Sequence, residues 1–198
     1  MSLVSKMRNN SLLLVVDLQN EFINDNTKKA TREIAKLVNS GKFTDVVFTR
    51  FINSPNNPTF TRLGWKGCMD ENSRKICIDT GKHKVFDKTT YSAYGEDLTR
   101  YIHQNNLDKI YICGIDADCC VLVTAMNLFE NNYDVYVLED HIYSSSGEKA
   151  KQNAVDILKR NIGEDRVQPF LMAWRGYREL ARYARYSPSA SGPTGPSP

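Results

Sequence analysis

The sequence predicts a three-layer α/β fold, a doubly wound and mostly parallel sheet with helices on both faces. Three observations predict it. Short β-branched apolar runs recur along the chain, and each is followed by a segment whose apolar residues repeat with helical period. The first run, Leu12-Leu13-Leu14-Val15-Val16, is continuous rather than alternating, as expected of a strand buried on both faces. With 198 residues, 41% of them hydrophobic and 25% charged, the chain has enough apolar material for one domain with its own core.

The elements follow in order. Residues 12–16 are the first strand. Ala30, Ile34, Ala35, Leu37 and Val38 then make a helical stripe, and Gly41 supplies a stop. Val46-Val47-Phe48 is a second strand. Residues 52–79, with Pro55, Pro58, Gly64 and Gly67, read as a long loop, and a loop of that length in a compact domain is usually functional. Lys84-Val85-Phe86 is a short third strand, and Leu98, Ile102 and Leu107 mark a helix. Ile110-Tyr111-Ile112-Cys113 is a strand ending at Gly114. Residues 120–129 carry apolar positions Val121, Leu122, Ala125, Met126 and Phe129, again helical. Residues 133–138 are the next strand, Ala150, Ala154, Ile157 and Leu158 the next helix, and residues 167–172 a last strand. Strand–helix alternation of this kind means parallel βαβ units.

Residues 1–186 are expected to form one domain. Residues 187–198 are almost all Ser, Pro, Gly and Ala and are expected to be a disordered tail. Before them, Arg175, Arg178, Arg182 and Arg185 alternate with Tyr177, Tyr183 and Tyr186; a solvated terminal helix explains this better than an anion-binding patch. A net charge of +3 gives no reason to expect nucleic acid or a membrane surface as partner. Five cysteines, an odd number without CxxC spacing, argue against a disulfide framework or zinc knuckle and for a reducing, cytoplasmic compartment. No apolar run approaches the roughly 20 residues needed to span a bilayer.

Candidate chemistry gathers at the carboxyl ends of the expected strands, the edge where open α/β sheets bind ligands. Asp17 follows the first strand, Lys88 the third, and Cys119 and Cys120 the fourth. Each has a plain alternative: a helix cap, a solvated lysine, a pair of small buried hydrophobes. Together they are chemically coherent. A cysteine in the first turn of a helix has its thiolate stabilised by the helix dipole, an ammonium lowers its pKa further, and a carboxylate moves the proton. Backbone N–H groups at the helix start are donors for an oxyanion. His83, His103 and His141 are scattered, so a Cys–His dyad is the weaker reading.

Three segments resemble the isochorismatase-like cysteine hydrolases, which include nicotinamidases and N-carbamoylsarcosine amidohydrolases. Asp17-Leu18-Gln19-Asn20-Glu21-Phe22 is similar to the family's D-x-Q-N-x-F segment, Phe86-Asp87-Lys88 supplies its lysine, and Gly114-Ile115-Asp116-Ala117-Asp118-Cys119-Cys120-Val121 is similar to its G-[IV]-x-x-D-x-C-V turn. The resemblance covers about residues 11–170 and implies a Rossmann-like topology. By it, Asp17 is the general acid/base, Lys88 the catalytic lysine and Cys120 the nucleophile; Asp118 and Val121 set the register, leaving Cys119 as a bystander. It also implies a cis peptide between Ile115 and Asp116, an oxyanion hole made by the N–H groups of Asp116 and Cys120, and a homodimer or homotetramer.

Departures from the family pattern narrow the reaction. Nicotinamidases carry a metal site of one Asp and several His after the second strand. Here that stretch is Thr49-Arg50-Phe51-Ile52-Asn53, with no His between Asn53 and Lys82, so no cofactor and no metal is expected. Isochorismatases proper lack the cysteine. What remains is cleavage of a C–N bond in a small amide, carbamoyl or ureido substrate. The long loop is expected to cover the pocket, with Phe22, Trp65, Tyr91 and Tyr94 as lining residues, core packing being an equal alternative for Tyr91 and Tyr94; Arg50 is available to a substrate carboxylate, although an internal salt bridge is the better reading for it. Ser144-Ser145-Ser146-Gly147 reads as a capping turn, since no G-x-S-x-G elbow surrounds it. A thiol redox sensor using Cys119 and Cys120, and a catalytically silent scaffold, are the alternatives.

Overall fold

A computed structural model describes residues 10–173. The Arg/Tyr-rich segment and the expected tail lie outside the described residues. Six strands form one parallel sheet, β1 (Ser11–Val16), β2 (Asp45–Phe51), β3 (Lys84–Lys88), β4 (Lys109–Ile115), β5 (Asp134–Tyr143) and β6 (Val167–Gln168), in the order β3-β2-β1-β4-β5-β6. The connections run through α1 (Lys28–Val38), the short α2 (Pro58–Thr61) and α3 (Glu71–Arg74), then α4 (Glu96–Gln104), α5 (Leu122–Glu130) and α6 (Glu148–Ile162). The winding reverses direction between β1 and β4, and this is the topological switch point of the sheet.

β1 shows why a continuous apolar run suits a central strand. Leu12, Leu14 and Val16 face one way, into a core shared with Leu98 and Ile102 of α4, Ala125 and Leu128 of α5, and Ala154, Val155 and Leu158 of α6. Leu13 and Val15 face the other way, onto Ala30, Ile34, Leu37 and Val38 of α1. All six β1 residues are fully buried. Successive strand residues point to opposite faces, and helices cover both faces here, so alternation would have left polar groups in a core. The three-layer expectation holds. Among the described residues, no helix is long and apolar enough to cross a membrane.

Several boundaries differ from expectation. Leu107 lies beyond α4, in a turn where its N–H donates to the Ile102 carbonyl at 3.0 Å. The expected last strand over residues 167–172 stops after Gln168, because Pro169 has no N–H to donate and the chain turns helical at Phe170. The long loop holds α2 and α3. α2 is capped by Asn57, which accepts from the Thr59 N–H; α3 is capped reciprocally by Asp70 and Ser73.

β4 ends at a close approach that only glycine permits. Gly114 has φ of 128°, and a Cβ there would lie 2.1 Å from the Val16 carbonyl oxygen. The pairing of β4 with β5 also slips between Ile112 and Gly114. These features bring the segment after β4 tightly against the end of β1. The peptide bond joining Ile115 and Asp116 is cis, as the resemblance implied.

Candidate active site

Four neighbouring strands each bring one group to the carboxyl edge: Lys88 ends β3, Thr49 lies in β2, Asp17 follows β1, and Cys120 follows β4. Asp17 has φ of 45°, a left-handed conformation that ends the strand abruptly. Its side chain is fully buried, and Oδ2 lies 2.6 Å from the Lys88 ammonium. Oδ1 accepts from the Thr49 hydroxyl at 2.8 Å, and the Thr49 oxygen in turn accepts from the Asp17 N–H at 3.2 Å. Lys88 also donates to the carbonyls of Thr90 and Tyr91, at 2.9 and 3.0 Å, and sits 5.1 Å from the Phe51 ring centroid. Burial disfavours its charge, but Asp17 and then Cys120 outweigh that, and its pKa is held above the usual lysine value.

Cys120 sits in a wide π-type turn, residues Ala117–Val121, that leads into α5. The Asp116 carbonyl accepts from the N–H groups on either side of it, those of Cys119 and Val121, at 3.1 and 3.0 Å. The neighbouring Cys119 thiol, burial and the Asp17 carboxylate push the Cys120 pKa up, while Lys88 pulls against them. Cys120 therefore rests as a thiol that needs a base. The neighbouring Cys120 thiol holds Cys119 below its ordinary value. The other three cysteines are held as thiols: Cys68 is pushed up to about 12 by burial, with Glu21 and Asp17 adding to it, burial raises Cys77, and Cys113 is raised by burial alone.

Above Cys120 opens a pocket of about 300 Å³ whose walls include Phe22, Phe51, Trp65 and Tyr91. Trp65 stacks on Phe22 at 6.0 Å and 14°, and lies 5.9 Å from Phe51. The long loop thus covers the pocket through Thr59, Leu63 and Trp65. It is pinned from below by Gln19, whose amide accepts from the Phe51 N–H at 2.7 Å and donates to the carbonyls of Phe51 and Arg74 at 3.0 Å each. Asp116 reaches the wall but is held by Ser145, whose N–H and hydroxyl donate to it at 2.5 and 2.9 Å. Burial raises its pKa and these bonds oppose the rise.

Two expected lining residues lie elsewhere. Arg50 points away from the pocket and pairs with Asp87, Nε to Oδ1 at 2.7 Å, because β2 and β3 put them side by side in register. Tyr94 stands outside the pocket, its hydroxyl donating to Asn131 at 2.9 Å and its ring edge-on to Tyr133. Cys119, expected as a bystander, lines the pocket beside Cys120. Glu21, Asn24, Phe51 and Ser145 also line it and were not foreseen. Position 21 sits inside the matched motif, and this was the one available signal. As to a metal, His83 lies against Phe48, His103 against Tyr133 and His141 against Asp140. None of the three reaches the pocket, and among the described residues no three His, Cys, Asp or Glu side chains gather as a ligand set.

A doubly wound parallel sheet that brings a cysteine turn, a carboxylate and an ammonium to one edge defines an α/β protein with a candidate site at its switch point. The Isochorismatase domain model matches residues 11–164, and the chain belongs to the isochorismatase-like hydrolase family. It is 30% identical over 148 residues to isochorismatase family protein 1A of Dictyostelium discoideum, covering 70% of this chain and 65% of that one. The chain spans 40% to 65% of the length of the Dictyostelium relatives 2A, 1B and 1A that it matches. Among solved structures, an isochorismatase-like hydrolase from Alkaliphilus metalliredigens superposes with a TM-score of 0.73 at 17% identity, covering 84% of this chain and 98% of that one. The N-carbamoylsarcosine amidase from Thermoplasma acidophilum gives 0.66 at 26% identity, covering 80% and 95%.

Proposed function

We propose that the protein is a metal-independent cysteine amidohydrolase that cleaves the C–N bond of a small amide, carbamoyl or ureido substrate through a thioester. The observation that carries this reading is the buried Lys88–Asp17 ion pair lying beneath a pocket-lining Cys120. Asp17 takes the Cys120 proton as the sulfur bonds to the substrate carbonyl carbon, and the carbonyl π pair moves onto oxygen. The N–H groups of Asp116 and Cys120 receive that oxyanion. On collapse the C–N bond breaks and Asp17 returns its proton to the leaving nitrogen, freeing ammonia or an amine. A water then gives a proton to Asp17 and attacks the thioester. The C–S bond breaks, the acid departs, and Asp17 reprotonates Cys120. Lys88 stays charged throughout, holding Asp17 in place and stabilising sulfur while it is anionic.

Metal independence is supported by the donor chemistry: imidazole is missing where the nicotinamidases place it. A homo-oligomer in a reducing compartment completes the reading, and light scattering tests the first part. The decisive experiment is ammonia release from a panel of small amides and carbamoyl compounds, with intact mass spectrometry under turnover. Wild-type protein should release ammonia and carry an acyl adduct that maps to Cys120; Cys120→Ala should do neither. Full turnover by Cys120→Ala would remove the proposal, and the lack of any adduct or turnover across the panel would favour a silent scaffold.

A further inference from the structure

The pocket walls carry charge of one sign. Among the described residues lining it, Glu21 and Asp116 are acidic and none is basic. The nearby cation, Lys88, is committed to Asp17 and two backbone carbonyls. Asp116 is engaged by Ser145. Glu21 is different. No hydrogen bond or ion pair among the described residues engages its carboxylate. It is exposed and sits at the Trp65 side of the pocket: a Cβ on Gly67 would come 2.3 Å from both Glu21 Oε1 and Trp65 Cζ2. A free carboxylate thus lies beside a wall of three connected rings, Phe22, Trp65 and Phe51.

Resting on the hydrolase reading above, we propose that the substrate carries a positively charged group, an ammonium or quaternary ammonium, seated between the Glu21 carboxylate and the Phe22–Trp65–Phe51 wall. Ring faces attract cations through their quadrupole, and a desolvated cation gains most from rings and a carboxylate together. A substrate carboxylate in the same place would face Glu21 with no cation to receive it. The volume of about 300 Å³ suits a small acyl amide with its charge a few bonds from the carbonyl. The charged end then binds under Trp65 while the amide carbon reaches Cys120.

Three probes of similar size test this: (trimethylammonio)acetamide, its neutral isostere 3,3-dimethylbutanamide, and the anion succinamate. Binding is measured by calorimetry on Cys120→Ala protein, with near-UV circular dichroism as the check of folding. The cation should bind about tenfold more tightly than its isostere, with succinamate weakest. Glu21→Gln should shrink the cation-to-isostere ratio, and Glu21→Lys should reverse the order so that succinamate binds better than the cation. Equal affinity for cation and isostere, an unchanged order in folded Glu21→Lys, or no binding of any probe would overturn the assignment. Ammonia release by the wild-type protein reads the hydrolase claim separately. The expected binding order without ammonia supports the cation site and overturns the hydrolase reading; ammonia without any charge preference does the reverse.

Discussion

Replacing Asp17 by Asn removes a charge from a buried pair and leaves its partner behind. At 2.6 Å and an effective dielectric near 20, the attraction between Asp17 and Lys88 is about 6 kcal/mol, set against several kcal/mol of desolvation per ion. The net value of the pair is therefore small, yet breaking it by removing one partner should destabilise the fold by about 3–5 kcal/mol. The pH dependence gives the sharper check. Burial alone lowers the Lys88 pKa, and Asp17 is the main influence raising it. In Asp17→Asn the balance tips downward, so the unfolded chain binds the proton more readily than the folded one. Stability then rises with pH, and the deficit should be smaller at pH 10 than at pH 7.5. Urea unfolding at both pH values measures this, together with the double variant Asp17→Asn/Lys88→Met, which should be more stable than the sum of the single losses implies. A deficit below about 1 kcal/mol, or strict additivity in the double variant, would refute the account of a buried, coupled pair.

Gly114→Ala forces a Cβ into the Val16 carbonyl at a positive φ, and should lower stability by at least about 3 kcal/mol, read as a fall in melting temperature. Gln19→Leu leaves the Phe51 N–H and two carbonyls without their buried partner and should destabilise by about 2–4 kcal/mol in urea unfolding. The Tyr101 phenol, pushed up to about 12 by burial and by its 2.5 Å hydrogen bond to Asp45, favours the protonated form when folded. Its contribution is intact below pH 10 and is lost as pH rises through 12, so unfolding midpoints should fall across that window, less so in Tyr101→Phe. Iodoacetamide labelling followed by peptide mapping should modify Cys119, held below its ordinary value at the pocket wall, ahead of Cys120, and spare Cys68 and Cys113, which burial keeps as thiols.

Sequence and structure agree most closely where one local rule acts alone. The unbroken apolar run before Asp17, the helical stripe ending at Val38, and glycine at 114 each reflect a single constraint, and each was readable. The ends of elements were harder: Leu107 keeps the apolar spacing of α4 but follows a left-handed Asn106, so its burial comes from a turn. Which side chains face the pocket depended on register between strands, which periodicity within a strand does not carry. The internal salt bridge expected of Arg50 is present, but its partner was hidden for that reason, since only the pairing of β2 with β3 shows Asp87 beside it. Glu21 and Ser145 come from two connections over a hundred residues apart, and no spacing in the chain links them.

The rim of the candidate site draws one group from each of β3, β2, β1 and β4, neighbours in the sheet whose contacts span distant parts of the chain. Among the described residues β3 is paired on one side only, by β2, and the exposed Lys84 and Asp87 put charge along it while Lys88 is buried against Asp17. The ammonium of the quartet therefore rides on the strand with least support. A partly assembled sheet lacking β3 would keep Asp17 buried and lose the ammonium that pairs with it, so the outermost ribbon must dock before that carboxylate has its counter-charge.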